Sequence, residues 1–207
     1  KTLPITEEES IKQAESPYGN TKQISEEILY DYSKINSKIN VISLRYFNPI
    51  GAHNSVEIGE LPIGVPQNLL PFITQTAAGI HEKITVFGND YNTPDGTCIR
   101  DYIHVVDLAK AHIVAIENLI LKKSNSNYNI YNIGTGNGIS VLEMIDSFIK
   151  VTGLELNYII GPRRQGDVES AYADNSKAMK ELNWKAENSI EDAILSAWNW
   201  EKKIRSL

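Results

Sequence analysis

Short, β-rich apolar runs alternate with longer stretches of helical spacing along most of this chain, and that alternation restricts the fold more than any other feature. Val41-Ile42-Ser43-Leu44-Arg45-Tyr46-Phe47 reads as a buried strand, ended by Asn48-Pro49. Ile84 to Phe87, Tyr102 to Val106, Ile130 to Ile133 and Leu156 to Ile160 read as further strands. Between them, apolar residues recur three and four apart, as one helical face requires. Ile24, Ile28, Tyr32 and Ile35 form the first such stripe, and Leu69 to Ile80 carries the second. A third runs through Ala109, Ile113, Ala115 and Ile116 to Leu121, with Asp107 as its expected cap. Ser140-Val141-Leu142-Glu143 has capping-box spacing and opens a fourth helix. Two more are expected near 175–182 and 189–204, the last with Ile190, Ala193, Ile194, Ala197 and Trp198 on one face. Strands and helices taken in turn predict an α/β fold with a mainly parallel sheet. No repeat unit is apparent.

The 207 residues suffice for one large domain or a domain with a smaller partner. A single cysteine excludes a disulfide scaffold. Twenty basic against 26 acidic residues give a net charge of -6, which argues against non-specific nucleic-acid binding. No apolar run approaches the ~20 residues of a membrane span. The start, K-T-L-P-I-T-E-E-E-S, has neither a signal-peptide core nor an initiator Met. The expected setting is reducing and cytoplasmic, without membrane or nucleic-acid partners, for a chain that does not begin where its gene begins.

Residues 1–16 read as loop, and so do 50–68, 88–99 and the polar tract Lys122 to Asn127. Loops as long as 50–68 are usually functional or disordered. Ser16-Pro17 reads as a helix start, with Ser as N-cap and Pro in the first turn. Tyr18 and Lys22, four apart, then share one helical face. A nearby ammonium favours a phenolate, and a phenolate at a pocket edge can take an alcohol proton. The plainer reading is a tyrosine and a lysine on a solvated helix. Arg100, at a loop–strand junction, and Arg163-Arg164, in a loop with Gly166 and Asp167, are surface residues or phosphate clamps. His53, His81, His104 and His112 form no ligand set, and no metal is expected. Cys98 is a lone thiol with no reason in the sequence to be reactive, and Trp184, Trp198 and Trp200 read as packing in the C-terminal helices.

Six blocks follow in order: S-P-Y-G-N-T-K, L-R-Y-F-N-P-I-G-A-H, P-Q-N-L-L-P, F-G-N-D-Y-N-T-P-D-G-T-C-I-R-D-Y-I-H-V-V-D-L-A, Y-N-I-G-T-G and R-R-Q-G-D. Together they resemble the UDP-glucose 4-epimerase (UDP-galactose 4-epimerase) branch of the extended short-chain dehydrogenase/reductases, over nearly the whole chain. Tyr-x-x-x-Lys and N-I-G-T-G are shared by the superfamily, whereas N-P-I-G-A-H and G-N-D-Y-x-T-x-D-G-T are specific to this branch. The family's initial strand and Gly-rich turn, which hold the NAD pyrophosphate, are missing. Gly134-Thr135-Gly136-Asn137-Gly138 has the wrong spacing for that fingerprint and reads as a strand-to-helix loop. Also missing is the Ser/Thr that precedes the tyrosine in the family. The chain therefore resembles a C-terminal portion, truncated before the catalytic tyrosine and expected to be inactive alone.

The resemblance implies the C-terminal part of a Rossmann-type parallel-sheet domain, residues 1–48 and about 104–136. A smaller α/β domain, about 49–103 and 137–207, would bind the UDP-sugar. It implies NAD-dependent inversion at C4 of a UDP-hexose, with Tyr18 taking the 4-hydroxyl proton while hydride passes to NAD. A 4-keto intermediate then turns over and is reduced on its other face. Lys22 would tune Tyr18 and bind cofactor ribose, and Phe47 would lie near the nicotinamide. Arg100 and Arg164 match positions that grip the UDP pyrophosphate, and Asp167 the acceptor for ribose hydroxyls. Asn48, Asn68 and Leu69 match the sugar-nucleotide site, and Thr85, Val86 and Phe87 the strand along which uracil lies. Ala171 falls at a pocket wall where a small residue admits a C2 acetamido group, so N-acetyl hexosamines are expected as substrates too. The complete protein would be a homodimer. The alternatives are another nucleotide-sugar epimerase or dehydratase, the latter needing an acid/base pair upstream of Tyr18, or a non-catalytic UDP-sugar-binding remnant.

Overall fold

The structure is a computed structural model and describes residues 2–10, 14, 16–121 and 126–207. The elements are α1 (Pro17–Ile35), β1 (Val41–Tyr46), β2 (Asn48–Ile50), α2 (Leu69–Ala77), β3 (Ile84–Phe87), β4 (Ile99–His104) and α3 (Val105–Ile120). There follow β5 (Tyr128–Ile133), β6 (Gly138–Ser140), α4 (Val141–Thr152), β7 (Tyr158–Gly161), β8 (Ser170–Ala171), a π-helical turn (Ala178–Leu182) and α5 (Ile190–Arg205). In the expected loops at 1–16 and 122–127, residues 1, 11–13, 15 and 122–125 lie outside the described residues.

The α/β class with mainly parallel pairing is present, divided among three small sheets in the described residues. β1 runs parallel to β5 from Val41 opposite Tyr128 to Tyr46 opposite Ile133. β3 runs parallel to β7, and β2 parallel to β4. At residues 99–101, β4 also pairs antiparallel with β6, and Ile99 and Arg100 pair parallel with β8. β4 is thus the strand that ties the chain's middle to its last third.

Several expectations need correction. Asn48-Pro49 does not end extended structure: β2 follows β1 at once and carries Asn48 to the neighbouring sheet. β1 is half-buried rather than buried. The cap of α3 is His104 and not Asp107, because the His104 ring accepts from the Val106 N–H at 3.0 Å. Asp107 sits in the first turn, fully buried, and binds the N–H groups of Glu187 and Asn188 at 2.9 and 2.8 Å. The helix expected near 175–182 is mostly the π-helical turn, and Trp184 lies just past it, with its indole N–H on the Asp107 carbonyl.

The stripe on α1 is the largest difference. Ser16 caps this helix as expected, accepting from the Gly19 N–H at 3.0 Å. The face toward β1 and β5 carries small and polar side chains: Ser33 is buried, Glu26 pairs with Arg45, and Tyr30 meets Tyr128 edge-on at 5.2 Å. Ile24, Ile28, Tyr32 and Ile35 point away, Ile28 being 62% and Ile35 83% exposed. Periodicity identified a face but not the partner that face serves.

Among the described residues, two apolar clusters fill the interior. One gathers Ile50, Leu70, Ile73, Ile84, Val86, Met144, Ile145, Phe148 and Ile194, with the predicted face of α5 packed on it. The other joins Ile103, Leu108, Ala111, Tyr131 and Ile133 to Ala178, Leu182 and Trp184. Burying such side chains contributes roughly 1.5–3 kcal/mol each. The capping boxes at Ser140 and Ser189 fix where α4 and α5 start, and hence where these faces land.

Candidate functional site

Cys98, Arg100 and Tyr102 alternate along the run leading into and through β4, and a period of two directs all three to one side. They form part of the wall of a 430 Å³ cavity. The start of β2 adds Asn48, and the N-terminal end of α2 adds Asn68, Leu69 and Phe72. Thr85 and Phe87 come from β3, while Val65, Pro66 and Gln67 come from the long loop that precedes α2. The loop after β7 supplies Arg164 and Asp167.

The charged groups are held in place before any ligand arrives. Arg100 donates through Nη1 to the carbonyls of Ile99 and Val168 at 2.8 and 2.7 Å, and its Nη2 stands 3.6 Å from the Asp167 carboxylate. Arg164 donates to the same carboxylate from Nε and Nη2. That pairing raises Arg164 above its ordinary value. Two guanidiniums and one carboxylate leave the cavity locally positive, which suits an anion with several oxygens. Burial pushes the Tyr102 hydroxyl up to about 12, so it stays neutral and can donate.

Eight residues expected from the sequence meet at this cavity: Asn48, Asn68, Leu69, Thr85, Phe87, Arg100, Arg164 and Asp167. Val86 does not line it, because alternation along β3 turns this side chain into the apolar interior. Ala171 does not line it either, but it is the parallel partner of Arg100. Tyr18, Lys22 and Phe47 lie outside it. Tyr18 is 70% exposed at the start of α1, with the Lys22 ammonium 5.1 Å from its ring centre. Cys98, Phe72, Gln67 and Tyr102 are wall residues that motif reading passed over. For Cys98 and Tyr102, the period-two alternation with Arg100 was the available signal.

The glycine-rich stretch 134–138 is committed to structure. Asp101, fully buried, accepts from the N–H groups of Thr135 and Gly136 at 2.8 and 3.0 Å and from Ala173 at 3.1 Å. A Cβ on Gly134 would strike that carboxylate. Amides already bound to a carboxylate cannot cradle a dinucleotide phosphate. The residues expected from the sequence to meet NAD are Tyr18, Lys22 and Phe47, whose hydroxyl, ammonium and ring are of the types that suit its ribose–nicotinamide end. Among the described residues no cluster of three or more His, Cys, Asp or Glu could hold a metal ion. No described helix is long and apolar enough to cross a membrane.

Comparison with known proteins gives this geometry a context. The family model described as GDP-mannose 4,6 dehydratase matches residues 1–196. UDP-glucose 4-epimerase 2 of Arabidopsis thaliana is 50% identical over 200 residues, covering 97% of this chain and 56% of that protein. The UDP-glucose 4-epimerase of Dictyostelium discoideum is 51% identical, covering 97% and 57%. Among solved structures, UDP-glucose-4-epimerase from Stenotrophomonas maltophila, with bound NAD and formylated UDP-arabinopyranose, superposes with a TM-score of 0.95 at 43% identity. It is matched over 99% of this chain and 60% of that one. The Bifidobacterium longum enzyme in complex with NAD+ and UDP gives 0.92 at 47% identity, over 98% and 59%. The chain thus spans little more than half the length of the relatives it matches. With its model matched across nearly all of these residues, the chain belongs to the GDP-mannose 4,6 dehydratase family.

Proposed function

We propose that the chain is the UDP-hexose-binding and tyrosine-bearing part of an NAD-dependent UDP-glucose 4-epimerase, an isomerase of galactose metabolism. One observation carries this reading: two arginines and an aspartate converge on a 430 Å³ cavity that Asn48, Asn68, Leu69, Thr85 and Phe87 also line. The names of the relatives and the UDP and NAD held by similar structures support it.

In this reading Arg100 and Arg164 bind the pyrophosphate and Asp167 accepts from the ribose. The backbone of Thr85, Val86 and Phe87 flanks uracil. Asn48, Asn68 and Leu69 border the sugar. Because these groups hold UDP equally throughout the reaction, they lower KM more than they raise kcat. Tyr18 takes the proton of the 4-hydroxyl, and Lys22 holds the tyrosine and cofactor ribose in register. NAD, when bound beside Phe47, would supply the acceptor and donor of hydride. Ala171 leaves room for an acetamido group.

The two apolar clusters support a division into a dinucleotide lobe, residues 1–48 and about 104–136, and a sugar-nucleotide lobe from the rest. Residues 178–184 pack back on the first lobe. The complete protein is a cytoplasmic homodimer in this reading, supported by the free thiol of Cys98 and the exposed apolar face of α1. Calorimetry of the chain with UDP tests the core of the proposal. Saturable binding that Arg164→Met weakens is expected, and a folded chain that binds no UDP overturns it.

A further inference from the structure

Trp200 does more than pack in α5. Its indole N–H donates to the Glu60 carbonyl at 2.8 Å, in the long loop that leads from β2 to the cavity. Gly59, just before, passes so close to the indole that a Cβ there would come within 2.4 Å of the ring. Further along α5, Lys203 pairs with Glu57 of the same loop. These contacts fasten residues 57–60 to the end of α5 and fix the backbone from which the Glu60 side chain extends.

That side chain reaches a residue of the cavity wall. The Glu60 carboxylate accepts from Asn68 Nδ2 at 3.0 Å. A carboxylate only accepts, so the amide nitrogen of Asn68 has to face it, and the orientation of the amide is set. Asn68 stands at the N-cap position of α2, where an asparagine oxygen ordinarily accepts from a first-turn N–H. It makes no such bond here, and Pro71, third in the helix, has no N–H to give. One amide N–H is therefore spent on Glu60, while Oδ1 and the second N–H remain for the cavity that Asn68 lines. Glu60 itself is not part of that wall. A carboxylate near an anion site opposes binding by its charge, so a favourable effect on the ligand has to come through the amide it holds.

We propose that Glu60 is a positioning residue, holding the Asn68 amide in the orientation that serves the sugar end of a UDP-hexose, and that Trp200 sets Glu60 in turn. The inference rests on the reading of the cavity as a UDP-sugar site. An unheld amide at this position samples several rotamers and can turn its oxygen back onto α2 as a cap. A ligand then has to reorder it, which lowers affinity. With Glu60 in place the ordering precedes binding.

The test is a double-mutant cycle read by calorimetry of the chain with UDP-glucose, and with UDP as the ligand that lacks the sugar. Glu60→Ala should weaken UDP-glucose roughly three- to tenfold, the size of one neutral hydrogen bond. Its UDP affinity should stay within about twofold of the parent, and its urea midpoint should be unaltered. Glu60→Gln keeps an acceptor oxygen without the charge, and should bind UDP-glucose at least as tightly as the parent. Asn68→Ala should weaken UDP-glucose too, and Glu60→Ala added to it should change nothing further. Trp200→Phe keeps a ring against Gly59 but loses the indole donor, and should weaken UDP-glucose about twofold or more. Parent affinity for UDP-glucose in Glu60→Ala overturns the proposal, as does an equal loss for UDP. An effect of Glu60→Ala that persists in full beside Asn68→Ala overturns it as well. A chain that binds neither ligand overturns the reading of the cavity and the proposal with it.

Discussion

Arg164 holds Asp167 by two hydrogen bonds, 3.1 Å from Nε and 2.9 Å from Nη2, so cavity cation and cavity carboxylate form one bidentate pair. Its partners lie three apart in a single loop, and Arg100 approaches the same carboxylate from β4. A pyrophosphate entering here meets guanidiniums already oriented, with little side-chain freedom left to lose. Arg164→Met removes one charge-assisted contact, worth about 1.5–3 kcal/mol. UDP affinity should fall roughly 10- to 150-fold by calorimetry. A change smaller than about threefold would separate Arg164 from the ligand.

In the proposed mechanism Tyr18 is the group that moves a proton, and it stands exposed at the start of α1. In a complete enzyme that carries this chain, Tyr18→Phe should cut kcat by ~10²–10⁴-fold while UDP binding stays near the parent value. Retention of more than about half the activity would remove Tyr18 from the mechanism.

Asp101 is the hinge of the 134–138 loop. Its carboxylate receives three backbone N–H groups and the Thr135 hydroxyl, at 2.7–3.1 Å. Asp101→Asn turns one acceptor oxygen into a donor that faces N–H groups, and a buried mismatch of this kind costs about 2–3 kcal/mol. The urea midpoint should fall accordingly, and an unchanged midpoint would contradict the arrangement.

Much of this was legible in the sequence, for identifiable reasons. Ser16 and Ser140 announce helix starts because capping is local chemistry, read within four residues. Arg100, Arg164 and Asp167 were found because their motifs travel as blocks. The direction of the α1 stripe was not legible: Ile28 and Ile35 obey the helical period whichever way the helix turns. The role of His104 was hidden as well. Its partner Ser196 is far away in sequence, and Asp107 offered the more conventional cap. That the Val86 side chain faces the interior while its strand borders the cavity was not legible either, because so short a run does not say which of its side chains turn inward.

His104 makes stability depend on pH. Its Nδ1 accepts from the Val106 N–H at 3.0 Å, so the neutral ring carries its proton on Nε2 and donates to Ser196 Oγ at 3.2 Å. Ser196 in turn accepts from the Ala52 N–H and donates to the Ala193 carbonyl. Burial, opposed by Asp107 and Asp192, holds His104 below its ordinary value. Below about pH 6.5 the unfolded chain therefore binds the proton and the folded one resists it. The stability present above that pH is lost on acidification, by up to about 1.4 kcal/mol per unit until the folded ring protonates. His104→Asn keeps a capping oxygen but removes this titration. Urea midpoints measured between pH 7.5 and 5 should fall for the parent and change distinctly less for His104→Asn. Equal slopes would rule out His104 as the source.

In the proposed reading Ala171 bears on which sugars are accepted. It pairs with Arg100 across parallel strands, and register partners in adjacent strands project to the same face. Arg100 reaches the cavity from that face, so a larger side chain at 171 would extend alongside it. Alanine leaves the space open. Tyr172, the next residue, turns to the other face, where a Cβ on Gly138 would come within 3.0 Å of its ring. The complete enzyme should therefore accept UDP-N-acetylgalactosamine alongside UDP-galactose. Ala171→Tyr should disfavour the acetamido sugar, since forcing bulk into a packed site costs ~1–3 kcal/mol, or roughly 5- to 150-fold. The quantity to measure is kcat/KM for the acetamido sugar relative to UDP-galactose, in parent and variant. A parent that rejects the acetamido sugar, or a ratio that Ala171→Tyr leaves unaltered, would mean that the limit on sugar size is set elsewhere on the cavity wall.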